Sequence, residues 1–175
     1  MAVVLSASAL DAFLDKSIDK ICPLGFGKVG DVHNHCAHFV SHVLKLNSAQ
    51  HIGYTCAGMV NLGKKNAAAG GCIRVNEIYN ACDKLSTPDE AGCLAYFTLP
   101  GNMEKDGSMG SMADKHIGIY LGGMIWNYGN TKDQVRKSDV AFLGTLYGKS
   151  TIARYSKFPA GATTLTLEQI QALAK

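Results

Sequence analysis

The sequence predicts an α+β domain in which helices gather on one side of an antiparallel sheet. Apolar residues recur at helical spacing through much of the first half of the 175-residue chain. Short aromatic and β-branched runs, bounded by glycine or proline, follow between residues 92 and 155. No internal repeat or linker divides the chain, so residues 1–175 are expected to form one domain.

Composition limits the classes of function. Hydrophobic residues make up 47% of the chain and charged residues 18%, which is typical of a globular protein. The formal net charge is +3, and the Lys and Arg residues are scattered, so we expect no nucleic-acid partner. No apolar run has the length of a membrane span, so we expect no membrane-spanning segment.

The N-terminal segment favours an amphipathic helix over a signal peptide. It lacks a basic start, and Asp11 and Asp15 interrupt what would be the apolar region. Ser8 is the candidate N-cap of this helix. The residues expected to face inward are Ala9, Ala12, Phe13 and Ile18.

Cys36 lies where a glycine-rich loop, Gly25–Gly30, gives way to a second predicted helix. Asp31 or Asn34 is suited to cap the first turn of that helix. Its apolar stripe consists of Phe39, Val40, Val43, Leu44 and Leu46. A thiol in the first turn lies at the positive end of the helix dipole, so we expect a lowered pKa for Cys36 and a nucleophilic role.

The remaining elements follow from local patterns. Residues 47–71 are expected to be loop with a short helix near Ala57–Leu62, and residues 100–115 an exposed, mobile loop. Further helices are predicted at Cys72–Leu85 and after Thr164 or Thr166. The predicted strands are Gly92–Leu99, His116–Leu121, Met124–Gly129, Val140–Leu146 and Thr151–Tyr155, with Gly122-Gly123 as a hairpin turn.

His116 is the candidate general base. Of the six histidines, it alone stands at the start of a strand that leads into a tight hairpin. A cysteine hydrolase needs an imidazole on a rigid element that faces the thiol. Cys36 and His116 therefore form the predicted catalytic pair.

Four segments of the chain resemble motifs of the NlpC-like cysteine peptidases, which are papain-related hydrolases of cell-wall peptides. The four segments follow one another along the chain in the same order as the motifs of that family. Residues 34–40 resemble the start of that family's nucleophile helix, and residues 116–122 its base-bearing strand. Residues 92–97 are similar to a family strand in which Cys93 replaces the usual acid. Residues 150–155 are similar to the closing strand. The resemblance covers residues 25–158 and implies a papain-like NlpC-type fold for a single catalytic domain.

The resemblance also implies residue roles. The third catalytic member should lie on the strand after the base, where Asn127 is the only amide. If Trp126 or Tyr128 faces the site instead, that role passes to a backbone carbonyl, a water molecule or Asn130. The backbone N–H of Cys36 would stabilise the oxyanion, with His35 as a further candidate, and Trp126 is a candidate wall of the substrate groove.

The implied activity is hydrolysis of D-amino-acid-containing peptide bonds in peptidoglycan stems, without a cofactor or resident metal. The chain also looks like the amidase effectors delivered by type VI secretion, or a phage lysis enzyme. The expected partners are peptidoglycan peptide and, for an effector, an immunity protein. Such an enzyme would be secreted without a recognisable signal peptide and act in the periplasm or cell wall of a target bacterium.

Three alternatives stay open. The helix of Cys36 also resembles that of lecithin retinol acyltransferase-like enzymes, which leaves an acyltransferase or deamidase. The crowding of His33, His35, His38 and His42 around Cys36 leaves a metal-binding or partner-binding module on an inactive fold. The six cysteines allow two disulfides beside a catalytic Cys36, or they are small buried hydrophobic residues.

Overall fold

A computed structural model describes residues 5–26, 35–46, 55–59 and 70–173. These ranges contain α1 (Ala7–Asp11), α2 (Ile18–Ile21), α3 (Cys36–Val43), α4 (Cys56–Met59), α5 (Val75–Asn80), α6 (Val140–Leu143) and α7 (Leu167–Ala172). They also contain β1 (Lys84–Leu85), β2 (Cys93–Thr98), β3 (Lys115–Leu121), β4 (Met124–Gly129), β5 (Gln134–Asp139) and β6 (Ile152–Ser156).

The strands form one six-stranded antiparallel sheet in the order β1-β6-β2-β3-β4-β5. The predicted hairpin between β3 and β4 turns at Gly122 and Gly123, whose φ angles are +55° and +81°. Glycine adopts such angles without the steric penalty of a Cβ atom. The predicted α+β class with an antiparallel sheet is confirmed.

The two faces of the sheet pack against different helices. Leu94 and Tyr96 of β2 belong to the main core, which also contains the buried residues of α3. Phe97 of β2, which points to the opposite face, packs in a smaller cluster with Leu143 of α6. The expectation that the helices gather on one side therefore fails for α6.

The N-terminal segment forms two short helices instead of one. Ser6, and not Ser8, caps α1, because its hydroxyl accepts the N–H of Ala9. α1 ends at Asp11, and a turn follows in which Asp15 adopts a left-handed conformation with φ of +60°. Phe13 and Ile18 are buried as predicted, whereas Ala12 is exposed.

Two further element predictions are wrong. Residues 140–143, predicted as strand, form α6 because the Asp139 carboxylate caps the helix at the N–H of Phe142. The helix predicted at Cys72–Leu85 is confined to α5, and its last two residues form β1 instead.

The segment after β2 has more structure than a simple loop. The buried Asn102 donates to Thr98, and its side chain accepts the N–H of Met112. These bonds fix the approach of the chain to β3, and thereby the position of His116.

The strands around residues 92–99, 116–129 and 151–155 are confirmed within one or two residues. The C-terminal helix is also confirmed: Thr166 and Gln169 form a capping box. The predictions for Asp31, His33 and Asn34 lie outside the described residues, as does everything predicted for residues 27–34, 47–54 and 60–69. In the described part of the chain, no helix has the length and apolar character needed to cross a membrane.

Candidate functional site

Cys36 is the first residue of α3, as the sequence predicts. All eight residues of this helix are buried, and the apolar stripe from Phe39 to Leu46 packs into the main core. The backbone N–H groups of Ile117, Ala37 and Cys36 itself are directed at the Cys36 sulfur. The thiol therefore lies where the start of α3 meets β3.

The expected lowering of the Cys36 pKa is wrong for this structure. Complete burial raises the pKa of the thiol to about 12, although the backbone N–H groups at the helix start oppose the shift. Removing water disfavours the thiolate, and here this effect exceeds that of the helix N-terminus. In the described conformation Cys36 is a protonated thiol at neutral pH.

His116 and Asn127 form a hydrogen-bonded pair on neighbouring strands. The register of β3 and β4 places Gly118 opposite Asn127, so the side chains of His116 and Asn127 share one face of the sheet. His116 Nε2 lies 3.0 Å from Asn127 Oδ1. Burial lowers the pKa of His116, and the Asn127 bond opposes that shift in part. The imidazole is thus expected to be neutral at pH 7.

The amide of Asn127 is itself held in one orientation. Its nitrogen lies 3.1 Å from the Ser138 hydroxyl oxygen and 3.4 Å from the carbonyl oxygen of Arg136, both on β5. Because the nitrogen donates toward β5, the oxygen is left to accept from His116. His116 then carries its proton on Nε2, and its Nδ1 is available as a base.

The structure brings His116 and Asn127 together on one face of the sheet and places Cys36 against the opposite face. Ile117 packs with Cys36 in the main core, whereas His116, the preceding residue, points to the opposite face. Between the Cys36 thiol and the His116 imidazole, both within the described residues, there is no hydrogen bond. The thiol faces the backbone next to the imidazole.

A cleft of about 900 Å³ opens next to the pair. Besides His116 and Asn127, its walls come from β5, α6 and the segment around Tyr147. Lys132 and Arg136 bring positive charge to its walls, and Asp15 and Asp139 bring negative charge. Lys137 also lines the cleft, but its ammonium group is paired with Asp11 at 3.4 Å. The exposed side chains of Phe142 and Leu146 give the cleft an apolar side. Such a cleft suits an extended ligand with carboxylate and apolar groups.

The two other predicted site residues point elsewhere. The His35 ring packs between the rings of Phe26, His38 and Tyr128, and its backbone N–H donates to Asn130 Oδ1. Trp126 lies in the main core, and its indole N–H donates to Asp11 Oδ1 at 2.9 Å. Asn130 is therefore occupied with His35.

The contribution of β5 to the site was not predicted from the sequence. Ser138 orients Asn127, and Arg136 lines the cleft, but the run QVRKSD carries three charges and only one buried residue. Alternation of Val135 with polar neighbours was a weak signal for this strand. The grouping of His38 and His42 with Cys22 and Cys56 was not predicted either.

All six cysteines are reduced and buried. The sequence left two interpretations of the cysteines open. The structure has buried thiols and no disulfide among them. Cys22 and Cys56 come closest to each other, with their sulfur atoms 4.0 Å apart. This separation is well beyond the length of an S–S bond.

Comparisons of the chain with protein-family models, curated proteins and solved structures find no match.

Proposed function

We propose that the chain is a cysteine amidase or endopeptidase that hydrolyses peptidoglycan stem peptides on a papain-like NlpC-type fold. The observation that carries this proposal is the His116–Asn127 pair. It is held at 3.0 Å by the register of β3 and β4, and the residue after His116, Ile117, packs with Cys36 in the main core on the other face of the sheet. The motif resemblance supplies the substrate class.

The roles follow from the proton positions. Cys36 attacks the scissile carbonyl, and its proton passes to Nδ1 of His116 while Asn127 holds the Nε2–H. Backbone N–H groups at the start of α3 stabilise the oxyanion. His116 then protonates the leaving amine, and water hydrolyses the thioester. Because the thiol now faces the Ile117 backbone, it must leave this position to reach the imidazole.

The charge of the cleft supports a stem peptide as substrate. Lys132 and Arg136 would pair with the free carboxylates that such peptides carry, and Phe142 would pack against their methyl groups. An effector delivered into a target bacterium, paired with an immunity protein, is the biological setting that we propose. Its site of action would be the periplasm or cell wall.

The deciding experiment is digestion of purified Gram-negative peptidoglycan, followed by mass spectrometry of the released fragments. We expect wild type to cleave a stem or cross-link bond and Cys36→Ala to leave it intact. Cys93→Ala is the matched control, because Cys93 is an equally buried thiol in the small cluster on the other face of the sheet. It should cleave like wild type.

Two results would change the proposal. If no digest differs from buffer but iodoacetamide labels Cys36 faster than the other buried cysteines, the substrate is wrong and an acyltransferase or deamidase takes precedence. If Cys36→Ala digests like wild type, Cys36 is not the nucleophile and the enzyme proposal fails.

A further inference from the structure

Four metal-ligating side chains meet in a buried cluster apart from the His116 cleft. Cys22 follows α2, His38 and His42 lie one turn apart on α3, and Cys56 begins α4. Their exposed fractions are between 0% and 3%. Their ligand atoms all lie within 4.8 Å of one another. Three separate segments of the chain thus direct two sulfur and two nitrogen atoms at one point.

Three separations between ligand atoms of the cluster are close to those around a tetrahedral zinc ion. With Zn–S bonds of about 2.3 Å and Zn–N bonds of about 2.05 Å, tetrahedral geometry separates two sulfurs by about 3.8 Å and two nitrogens by about 3.3 Å. The Cys22 and Cys56 sulfurs are 4.0 Å apart, and Nε2 of His38 and His42 are 3.0 Å apart. The Cys56 sulfur lies 3.8 Å from His42 Nε2, against about 3.6 Å in the ideal site.

The surroundings resemble the outer shell of a metal site. The Gly71 N–H donates to the Cys56 sulfur at 3.2 Å, which stabilises a thiolate. His38 Nδ1 lies 3.4 Å from His35 Nδ1, so the ring is held by the nitrogen that faces away from the cluster. The Phe26 ring covers His38 edge-on at 5.3 Å. A Cβ at Gly71 would come within 3.4 Å of the His42 ring.

We propose that Cys22, His38, His42 and Cys56 bind one structural Zn²⁺. Four protein ligands close the coordination sphere, so the ion would fix structure and take no part in hydrolysis. Two thiolates and two imidazoles favour zinc over calcium or magnesium, which prefer oxygen ligands. The ion would join α2 and α4 to α3.

The site would also hold the nucleophile helix in place. At about 100° per residue, Cys36 lies about 120° to 160° around α3 from His38 and His42. The side of α3 that carries the Cys36 thiol therefore faces β3, and the side that carries His38 and His42 faces the proposed ion. The zinc proposal stands on its own geometry and does not depend on the amidase activity.

The test is the metal content of the full chain, purified without an affinity tag and measured by plasma mass spectrometry. We expect one zinc per chain in wild type and in Cys93→Ala, and less than one tenth of that in Cys22→Ala and Cys56→Ala. If the two ligand variants do not fold, Co²⁺ is added to metal-free wild type. A tetrahedral site with two thiolates then gives intense visible d–d bands and a thiolate-to-cobalt charge-transfer band.

Three outcomes would overturn the proposal. The first is folded wild type without zinc in which Cys22 and Cys56 form a disulfide. The second is zinc that both ligand variants retain, which would place the ion elsewhere. The third is a Co²⁺ spectrum of octahedral type without a charge-transfer band, which would exclude the two thiolates as ligands.

Discussion

At the scale of single residues, Asn127 controls which nitrogen of His116 is free. Its amide nitrogen is occupied by β5, so its oxygen selects the Nε2–H tautomer. Asn127 is a positioning residue under this account, since it would act on the substrate only through His116. Substitution of Asn127 should therefore lower the reaction rate less than substitution of the base, His116.

We therefore expect His116→Ala to lower kcat on a stem peptide by about 10² to 10⁴, the usual contribution of a general base. Asn127→Ala should lower kcat less and leave KM near the wild-type value. Asn127→Asp, which keeps the accepting oxygen, should recover part of the loss. Steady-state kinetics of the three variants measure this, and an Asn127→Ala enzyme with unchanged kcat would contradict the positioning role.

Because the pKa of His116 is lowered in the folded protein, we also expect the free energy of unfolding to depend on pH. The unfolded chain binds the proton more readily, so stability falls as the pH drops below the unfolded value of about 6.5. The loss is at most about 1.4 kcal/mol per pH unit for one group. Urea unfolding between pH 7 and pH 5 should show a smaller decline for His116→Gln than for wild type. An equal decline would show that His116 does not titrate differently on folding.

At the scale of elements, the pairing of β3 and β4 depends on a glycine. A Cβ at Gly118 would lie 2.4 Å from Ile125 Cγ2 and 2.9 Å from the carbonyl oxygen of Trp126. Both strands would have to separate to admit it. These are the strands that hold His116 and Asn127 together.

Gly118→Ala should therefore destabilise the fold by about 1–3 kcal/mol through overpacking. Gly101→Ala is the matched control, because a Cβ there meets nothing within 4 Å. It should change the free energy of unfolding by less than about 0.5 kcal/mol. Denaturant unfolding measures the free energy of unfolding of both variants. Equal values would contradict the prediction, because they would show that β3 and β4 accommodate the Cβ without loss of stability.

The sequence predicted these strands because their signals are local. In residues 116–121 the β-branched Ile117 and Ile119 alternate with other residues, and Gly122-Gly123 specifies the turn. Residues 140–143 have a similar apolar content, but the decisive contact there is the Asp139 cap, which single-residue patterns do not reveal. Cys36, His116 and Asn127 were predicted as site residues from the order of motifs along the chain. The face on which each lies depends on the sheet register and was not predictable.

At the scale of the whole molecule, the cleft combines parts that are far apart in sequence. β3 and β4 provide the imidazole and the amide, while β5 and α6 provide charged and apolar walls. The raised pKa of Cys36 has the same origin, because several elements together exclude water from the start of α3. The proximity of Cys22 and Cys56 is likewise a tertiary feature, because 33 residues separate them in sequence. Among those residues the histidines, with His38 and His42 one helical turn apart, indicated a metal site, but nothing local indicated that the two cysteines would join them.

The positive charge of Arg136 in the wall of the cleft predicts an effect on substrate binding. Arg136→Glu should raise KM for a carboxylate-bearing stem peptide and leave kcat near wild type, because the exposed Arg136 lies in the wall and not at the reacting atoms. Lys149→Glu makes the same change in net charge away from the cleft and should have no such effect. If the two variants had equal KM values, Arg136 would not contact the substrate, and any change in KM would come from the net charge of the protein.

The position of β6 has a consequence for the folding of the nascent chain. This strand lies between β1 and β2, although 53 residues separate the end of β2 from the start of β6. Until residues 152–156 have left the ribosome, β2 exposes an unpaired edge made of apolar and aromatic residues. Such an edge promotes association between chains. Slow synthesis of the last quarter of the protein should therefore favour aggregation over folding.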